Sequence, residues 1–428
     1  MSAVPARSFH AVTDPAVPAE AIEAAAARLA PVLSITPLQR NDRLSRRLAG
    51  EVWLKREDLQ PVRSYKVRGA YNLIAQLDQA ARAAGLVCAS AGNHAQGVAF
   101  ACAALQVHGT IFLPRSTPRQ KLDRIRAVGG DWVRLELAGD SYDESAVAAQ
   151  AYSMRTGATP VPAFDHPETV AGQGSVIREA VAQLGRAPDL VVVPVGGGGL
   201  LAGTLSWLAE HHPEVRVVGV EPAGAACMAA ALTAGRPVEL STLNRFVDGA
   251  AVRKAGELTY QIVRDSRAEL VSVPEGRVCS EMLAFYQADG IIAEPAGALA
   301  AAALGEQVLA EPGQTTLCLL SGGNNDVSRY AEIIERALVH EGRKHYFLVD
   351  FVQEPGALRA FLDEALGPDD DITLFEYVKR SSRETGPALV GIELGRPADL
   401  AALIRRMDAG TTRVQRLPPD SPMTRFLL

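Results

Sequence analysis

The stretch DLVVVPVGGGGLLAGTLSWLAEHH, Asp189 to His212, decides the fold. Leu190 to Val195 is an apolar run dominated by valine, the pattern of a short strand covered on both faces. Gly196 to Gly199 break the chain direction, and Leu200 to His212 then has the length and composition of a helix. Strand, glycine turn and helix form half of a βαβ unit. The same alternation extends outward in both directions. Strands are predicted at EVWLK, GLVCAS, GTIFLP, DWVRLEL, VRVVGVEP and TTLCLLS. Helices are predicted at AQGVAFACAALQ, QKLDRIRAVGG, YDESAVAAQAYSMRTG and GSVIREAVAQLG, with a first helix at EAIEAAAARLAPVL. Strands separated by helices of this length imply an α/β fold with a mostly parallel sheet.

The rhythm changes at VHEGRKHY, Val339 to Tyr346. Beyond it the order is strand HYFLVDFV, helix PGALRAFLDEAL, strand ITLFEYVKR, strand ALVGIEL, helix ADLAALIRRMD and strand RVQRL. That is βαββαβ, the ferredoxin-like order. The expected division is a mobile start over residues 1–17, a catalytic region over 18–340 with a smaller subdomain near 65–165, and a C-terminal domain over 344–428. A chain of 428 residues suits two or three domains.

Bulk properties exclude several classes. Hydrophobic residues make up 48% and charged residues 21%, as in an ordinary globular protein. The net charge of −6 and the absence of a basic run argue against nucleic-acid binding. No apolar run reaches the ~20 residues of a membrane span, and the first residues lack the order of a secretory signal. The five cysteines are scattered and form no C-x-x-C, so reduced core thiols in a cytoplasmic protein are expected, not a metal site.

Three predicted strands end in polar, glycine-bearing loops. Four glycines after a strong strand suit backbone amides crowding toward a phosphate at a helix N-terminus; the plain alternative is a flexible turn. The loop has neither the lysine of a Walker motif nor the spacing of a dinucleotide fingerprint. In CASAGNHAQG, Ser90 ends a strand and Gly92 and Asn93 open a helix, a geometry that suits a carboxylate. In CLLSGGNND, Ser321 follows a buried strand. Ligands bind at such carboxyl ends of parallel strands. Lys66, in PVRSYKVRGAYN, sits in the first turn of a helix expected to be capped by Ser64, where the macrodipole disfavours a cation. A solvated surface lysine is the ordinary reading, and a neutral nucleophile or imine is the sharper one. A phosphate cradle, a carboxylate site and an imine-forming lysine together match pyridoxal 5'-phosphate and an amino acid.

From about Thr36 to Tyr330 the chain resembles the fold-type II pyridoxal-phosphate enzymes, and most the threonine dehydratases. ITPL, LKREDLQPVRSYKVRGAYN, SAGNHAQGVA, VPVGGGGLLAG, AEPAGA and LSGGNND resemble family motifs in the family's order. The C-terminal domain resembles the single ACT-like regulatory domain of the shorter biosynthetic enzymes. The resemblance implies that Lys66 carries the cofactor as an imine and acts as the base. It implies that Asn93 bonds the cofactor's phenolic oxygen and that Gly196, Gly197, Gly198, Gly199 and Leu200 hold its phosphate. Ser321 would face the pyridine nitrogen, Ser90, Ala91, Gly92 and Asn93 would grip the substrate carboxylate, and Glu294 would line the site. The implied reaction is β-elimination of L-threonine to 2-oxobutanoate and ammonia, at the start of isoleucine biosynthesis. Isoleucine and valine are the expected effectors, and a homotetramer or homodimer the expected assembly.

The chain departs from the family pattern in places. Tyr65 stands where phenylalanine is commoner, and Arg63 where histidine is frequent. Ala91 replaces the serine that related racemases use as a second acid/base, so racemisation is not expected. Cys227 falls where metal-binding relatives place a carboxylate to accompany Glu221, so no metal is expected. The rivals are a serine dehydratase or other lyase or synthase of the same fold, separated by product analysis, and a decayed amino-acid-binding regulatory protein, separated by the imine's absorbance.

Overall fold

A computed structural model describes residues 16–377, 385–410, 412–419 and 421–427. The described chain divides into two compact units. The first holds β1 (Leu38–Arg40), β2 (Glu51–Arg56), β3 (Leu86–Ala89), β4 (Gly109–Leu113), β5 (Val133–Leu137), β6 (Thr159–Pro160), β7 (Leu190–Pro194), β8 (Arg216–Pro222), β9 (Glu269–Val273) and β10 (Thr315–Leu320). They form two sheets. The larger has the order β1-β2-β10-β7-β8-β9, parallel except for β1. The smaller, β5-β4-β3-β6, is wholly parallel. Every residue of β7 and β10 is buried, as continuous apolar strands in a doubly covered sheet should be.

The predicted helices are present, with shifted starts. GSVIREAVAQLG belongs to a longer helix, Pro167–Leu184, that begins on a proline and is capped by His166. The helix carrying the lysine runs Lys66–Ala75 and its N-cap residue is Tyr65, not Ser64. Ser64 still takes a first-turn amide, accepting from Lys66 N at 3.1 Å. Among the described residues three strands were not anticipated, β1, β6 and β9, and all lie at sheet edges.

Residues 1–15 of the expected mobile start lie outside the described residues. Val17, placed in that start, is instead 1% exposed and packs with Ile22 and Ala25 into the core of the larger sheet. The five cysteines are buried and unbridged. No described helix is long and apolar enough to cross a membrane.

The second unit contains β11 (Lys344–Val352), β12 (Asp371–Tyr377), β13 (Thr385–Glu393) and β14 (Arg413–Leu417) in one antiparallel sheet of order β12-β13-β11-β14. Helices Ala357–Ala365 and Leu400–Ala409 cross between them, so the connection is βαββαβ. Phe347, Val349, Phe351, Phe361, Leu403 and Met407 form its core. Val378 to Arg380, expected to continue β12, lie outside the described residues. The unit also takes in helices Glu275–Ala284 and Tyr330–His340, so the expected boundary at 340–344 falls inside it. Gly276 allows those two helices to touch: a Cβ there would lie 2.5 Å from His340 Cβ.

Candidate active site

The lysine is positioned by backbone contacts on two sides. Helix Asn93–Leu105 crosses the start of helix Lys66–Ala75 so closely that a Cβ on Gly97 would sit 3.1 Å from the Lys66 carbonyl carbon. On the other side, Tyr65 N donates to Ser321 O at 3.1 Å, Gly323 N donates to Arg63 O at 2.9 Å, and Ser64 forms a bridge with Gly322. The segment before the lysine is thus zipped to the end of β10. Arg63 takes a left-handed conformation (φ 56°) to make that turn. Below, Arg68 is held by Glu57 and Glu179 in a buried ion network.

Lys66 Nζ donates to Ala163 O at 3.0 Å and lies 5.3 Å from the centre of the Tyr65 ring. Burial pushes its amine down to about 8, against the opposing pull of Glu294. A substantial fraction of the amine is therefore neutral near physiological pH, which resolves the macrodipole conflict at the helix start. His94 is buried too and is driven down to about 4 by burial and by Lys66, so it stays neutral. Its Nε2 meets Val161 O at 2.7 Å.

The glycine loop after β7 is covered by Phe164, the residue next to Ala163. A Cβ on Gly197 would lie 2.4 Å from the Phe164 ring, and one on Gly199 would lie 3.0 Å from Phe164 Cβ. Gly198 is the N-cap of helix Gly199–His211 and has φ 96°, a left-handed value that glycine adopts without strain. The amides of Gly198, Gly199, Leu200 and Leu201 are at that N-terminus and have no acceptor within the helix. Asp165 secures the cover by accepting from Glu257, Leu258 and Thr259 amides at 3.0 to 3.2 Å, and Thr259 Oγ1 donates to Gly197 O at 2.7 Å.

The third cluster joins three loops. Asn93 Nδ2 donates to Glu294 Oε1 at 2.5 Å, and Asn324 Nδ2 donates to Asn93 Oδ1 at 2.7 Å. Glu294 is 4% exposed, and burial together with Asp248 pushes its carboxyl up to about 8. Ser90 and Gly92 stand at the carboxyl end of β3, with Gly92 N donating to Ser90 Oγ at 3.3 Å. Ser321 is buried and its hydroxyl donates to Ala296 O at 3.1 Å, so donation to a ligand requires the hydroxyl to turn. Glu221 caps helix Cys227–Ala234, accepting from Met228 N at 2.7 Å and Ala229 N at 2.9 Å.

Lys66, Asn93, Glu294 and Ser321 are thus tied to one another by short chains of contacts, and the glycine loop joins them through Ala163 and Phe164. The donor set fits pyridoxal phosphate: a helix N-terminus narrowed so that glycine alone is accommodated, a lysine with a lowered pKa, and an asparagine held by two partners. Sequence reasoning missed Phe164, Asp165, Thr259 and Asn324. The motif containing Asn324 was visible, but nothing local marked its side chain.

Comparisons with known proteins agree with this geometry. Residues 29–322 match the family described as pyridoxal-phosphate dependent enzyme, and residues 335–427 match the C-terminal regulatory domain of threonine dehydratase. The chain is 59% identical over 409 residues to the biosynthetic L-threonine dehydratase of Mycobacterium tuberculosis, covering 95% of each chain. It is 46% identical over 393 residues to that of Bacillus subtilis, covering 92% of this chain and 93% of the other. Among solved structures, processed threonine deaminase isoform 2 of Solanum lycopersicum matches with TM-score 0.70 and 34% identity over 79% of this chain and 99% of that one. Maize serine racemase matches with TM-score 0.69 and 28% identity, covering 76% and 99%. The chain therefore belongs to the pyridoxal-phosphate dependent enzymes and, within them, to the biosynthetic threonine dehydratases that carry a C-terminal regulatory domain.

Proposed function

We propose that the chain converts L-threonine to 2-oxobutanoate and ammonia through the roles that follow, as the committed step toward isoleucine. The observation that carries this reading is Lys66 with a depressed pKa, tied to three strand-end loops, in a chain 59% identical to a biosynthetic threonine dehydratase. Lys66 would carry pyridoxal 5'-phosphate. The amides of Gly196 to Leu200 would hold its phosphate, with Asn93 at its phenolic oxygen and Ser321 at its ring nitrogen. When bound, the cofactor supplies an electron sink for the carbanion formed at Cα.

The chain's own residues do the rest. The helix N-terminus at Ser90, Ala91, Gly92 and Asn93 binds the substrate carboxylate, where amides and the macrodipole favour an anion. The neutral Lys66 amine removes the Cα proton, a role its lowered pKa suits near pH 8. The β-hydroxyl leaves as water, taking up the proton that Lys66 removed from Cα, and the released enamine becomes an imine that water hydrolyses to 2-oxobutanoate and ammonium. Glu294, largely protonated below pH 8, lines the site without placing a second full negative charge beside the carboxylate.

The second unit acts as the regulatory domain, with isoleucine as inhibitor and valine as its opponent. None of the loops just described lies within β11 to β14, which supports a role apart from the chemistry. Coupling of this kind typically amounts to ~1–3 kcal/mol, or about a 5–150-fold change in affinity. The enzyme is expected in the cytoplasm as a homo-oligomer. The test is 2-oxobutanoate release from threonine, with and without isoleucine, by the full chain, by a chain ending at Glu341 and by Lys66→Ala. Turnover should vanish in Lys66→Ala while the protein stays folded. Inhibition should vanish in the shortened chain, and inhibition that survives there places the effector elsewhere.

A further inference from the structure

Asn324 has no role in the assignments above, yet its amide sits at the start of a directed hydrogen-bond chain. Its Nδ2 donates twice, to the Val62 carbonyl at 2.8 Å and to Asn93 Oδ1 at 2.7 Å. A backbone carbonyl can only accept, so Val62 O dictates which end of Asn324 faces it. That choice dictates the next amide. Asn93 turns Oδ1 toward Asn324, and Nδ2 is left facing the opposite way, where it donates to Glu294 Oε1 at 2.5 Å. Glu294 accepts through an unprotonated oxygen in either of its charge states. One N–H of Asn93 Nδ2 is used by Glu294, and the second is the donor left over.

The surroundings hold this chain in place. Val62 is fully buried, and the flanking turn is closed by Arg63 N donating to Gln60 O at 2.7 Å. Gly249 brings another backbone close, since a Cβ there would lie 3.9 Å from Asn93 Nδ2 and 3.7 Å from Glu294 Oε1. A free asparagine could present either its donor or its acceptor end to a ligand. Here the polarity set at Val62 leaves only the donor end.

We propose that Asn324 is a positioning residue: through Asn93 it presents an N–H, never a carbonyl oxygen, to the ring oxygen of the cofactor, and so selects the ionised form of that oxygen. The inference rests on the Asn93 role proposed above. Reversing the amide would set an oxygen against an anion and lose one charge-assisted hydrogen bond.

The experiment measures binding of two probes to the full chain stripped of cofactor: pyridoxal 5'-phosphate, and its 3-deoxy analogue, which lacks the ring oxygen. Asn324→Asp puts an oxygen against both Val62 O and Asn93 Oδ1 and drives the Asn93 amide over. Asn324→Ala removes the guide without adding charge. Both variants should bind pyridoxal 5'-phosphate roughly 10- to 100-fold more weakly, the weight of one charge-assisted hydrogen bond, with the aspartate at the upper end. Both should bind the 3-deoxy analogue as the parent does. Equal weakening of both probes, or no weakening of either, overturns the positioning role. Asn93→Ala separates the two levels of the argument. If it keeps the parent's preference for the ring oxygen, the Asn93 assignment itself fails. If it loses that preference while the Asn324 variants keep it, only the positioning role fails.

Discussion

Replacing Arg68 with methionine should destabilise the catalytic unit more than any exposed charge change. The Arg68 side chain is 2% exposed and its partner Glu57 is 1% exposed. Arg68 grips Glu57 through Nε at 2.8 Å and NH2 at 2.7 Å, and it reaches Glu179 at 3.0 and 3.1 Å. Lys55 completes the network, with Nζ 2.5 Å from Glu179 Oε1 and 2.7 Å from both Gln183 Oε1 and Thr36 O. Two cations balance two anions. Burial pushes the Glu57 carboxyl up, and Arg68, Lys55 and the Thr36 hydroxyl together more than reverse this, so the pair is ionised. Methionine matches the aliphatic volume but leaves Glu57 buried with half its compensation gone. Breaking a buried pair by removing one partner costs about 3–5 kcal/mol. Unfolding entropy of ~2.1 cal/mol/K per residue over a unit of roughly 300 residues converts this to a midpoint fall of about 5–8 °C.

Calorimetry of the full chain saturated with cofactor measures that midpoint. The informative comparison is the double variant Arg68→Met with Glu57→Gln. It removes one charge of each sign and leaves Lys55 with Glu179 as a matched pair. If the cost is an uncompensated buried charge, the double variant should recover at least half of the loss. A double variant that is worse than Arg68→Met alone would refute the reasoning, and would mean that packing of the guanidinium carries the stability. The link to function is direct, because Arg68 is two residues from Lys66 on the same helix. Single-variant turnover should fall as the helix loses its anchor.

Three further outcomes are expected. Gly197→Ala drives a methyl into the Phe164 ring, and overpacking of ~1–3 kcal/mol should weaken pyridoxal phosphate by about 5- to 150-fold in a spectroscopic titration; unchanged affinity would remove the glycine loop from the cofactor site. Glu294→Gln replaces a carboxyl that burial already holds largely neutral below pH 8, so the acid limb of log kcat should stay where the parent has it; a marked shift of that limb would show that Glu294 is ionised there and contradict the electrostatic account. Ala91 offers no ionisable group beside Ser90, so L-serine incubated with the enzyme should yield no D-serine on a chiral column, and appreciable D-serine would show that another group serves as the second acid.

The alternation of apolar runs and helical stretches was legible because each of those elements carries its own periodicity. β7 and β10 are buried on both faces, so every position had to be apolar and the runs were unmistakable. β1, β6 and β9 were not legible. Each is an edge strand, held by pairing with one neighbour, and β6 contains a proline that only an edge tolerates. The candidate residues Lys66, Asn93, Gly196 to Leu200, Glu294 and Ser321 could be read from strand ends and motifs, since glycine beside a helix start has a local physical cause. Their partners could not. Ala163 is 97 positions from Lys66, Glu294 is 201 from Asn93, and Asn324 is 231 from Asn93. Such contacts depend on where separate loops meet at the carboxyl ends of two sheets. A backbone carbonyl such as Ala163 O or Val62 O leaves no mark on residue identity at all. The sequence by itself therefore determined the layers and marked the candidate amine and the candidate anion-binding loops. Only the tertiary structure decided the direction of the amides and the charge states around them, because both follow from burial and from neighbours distant along the chain.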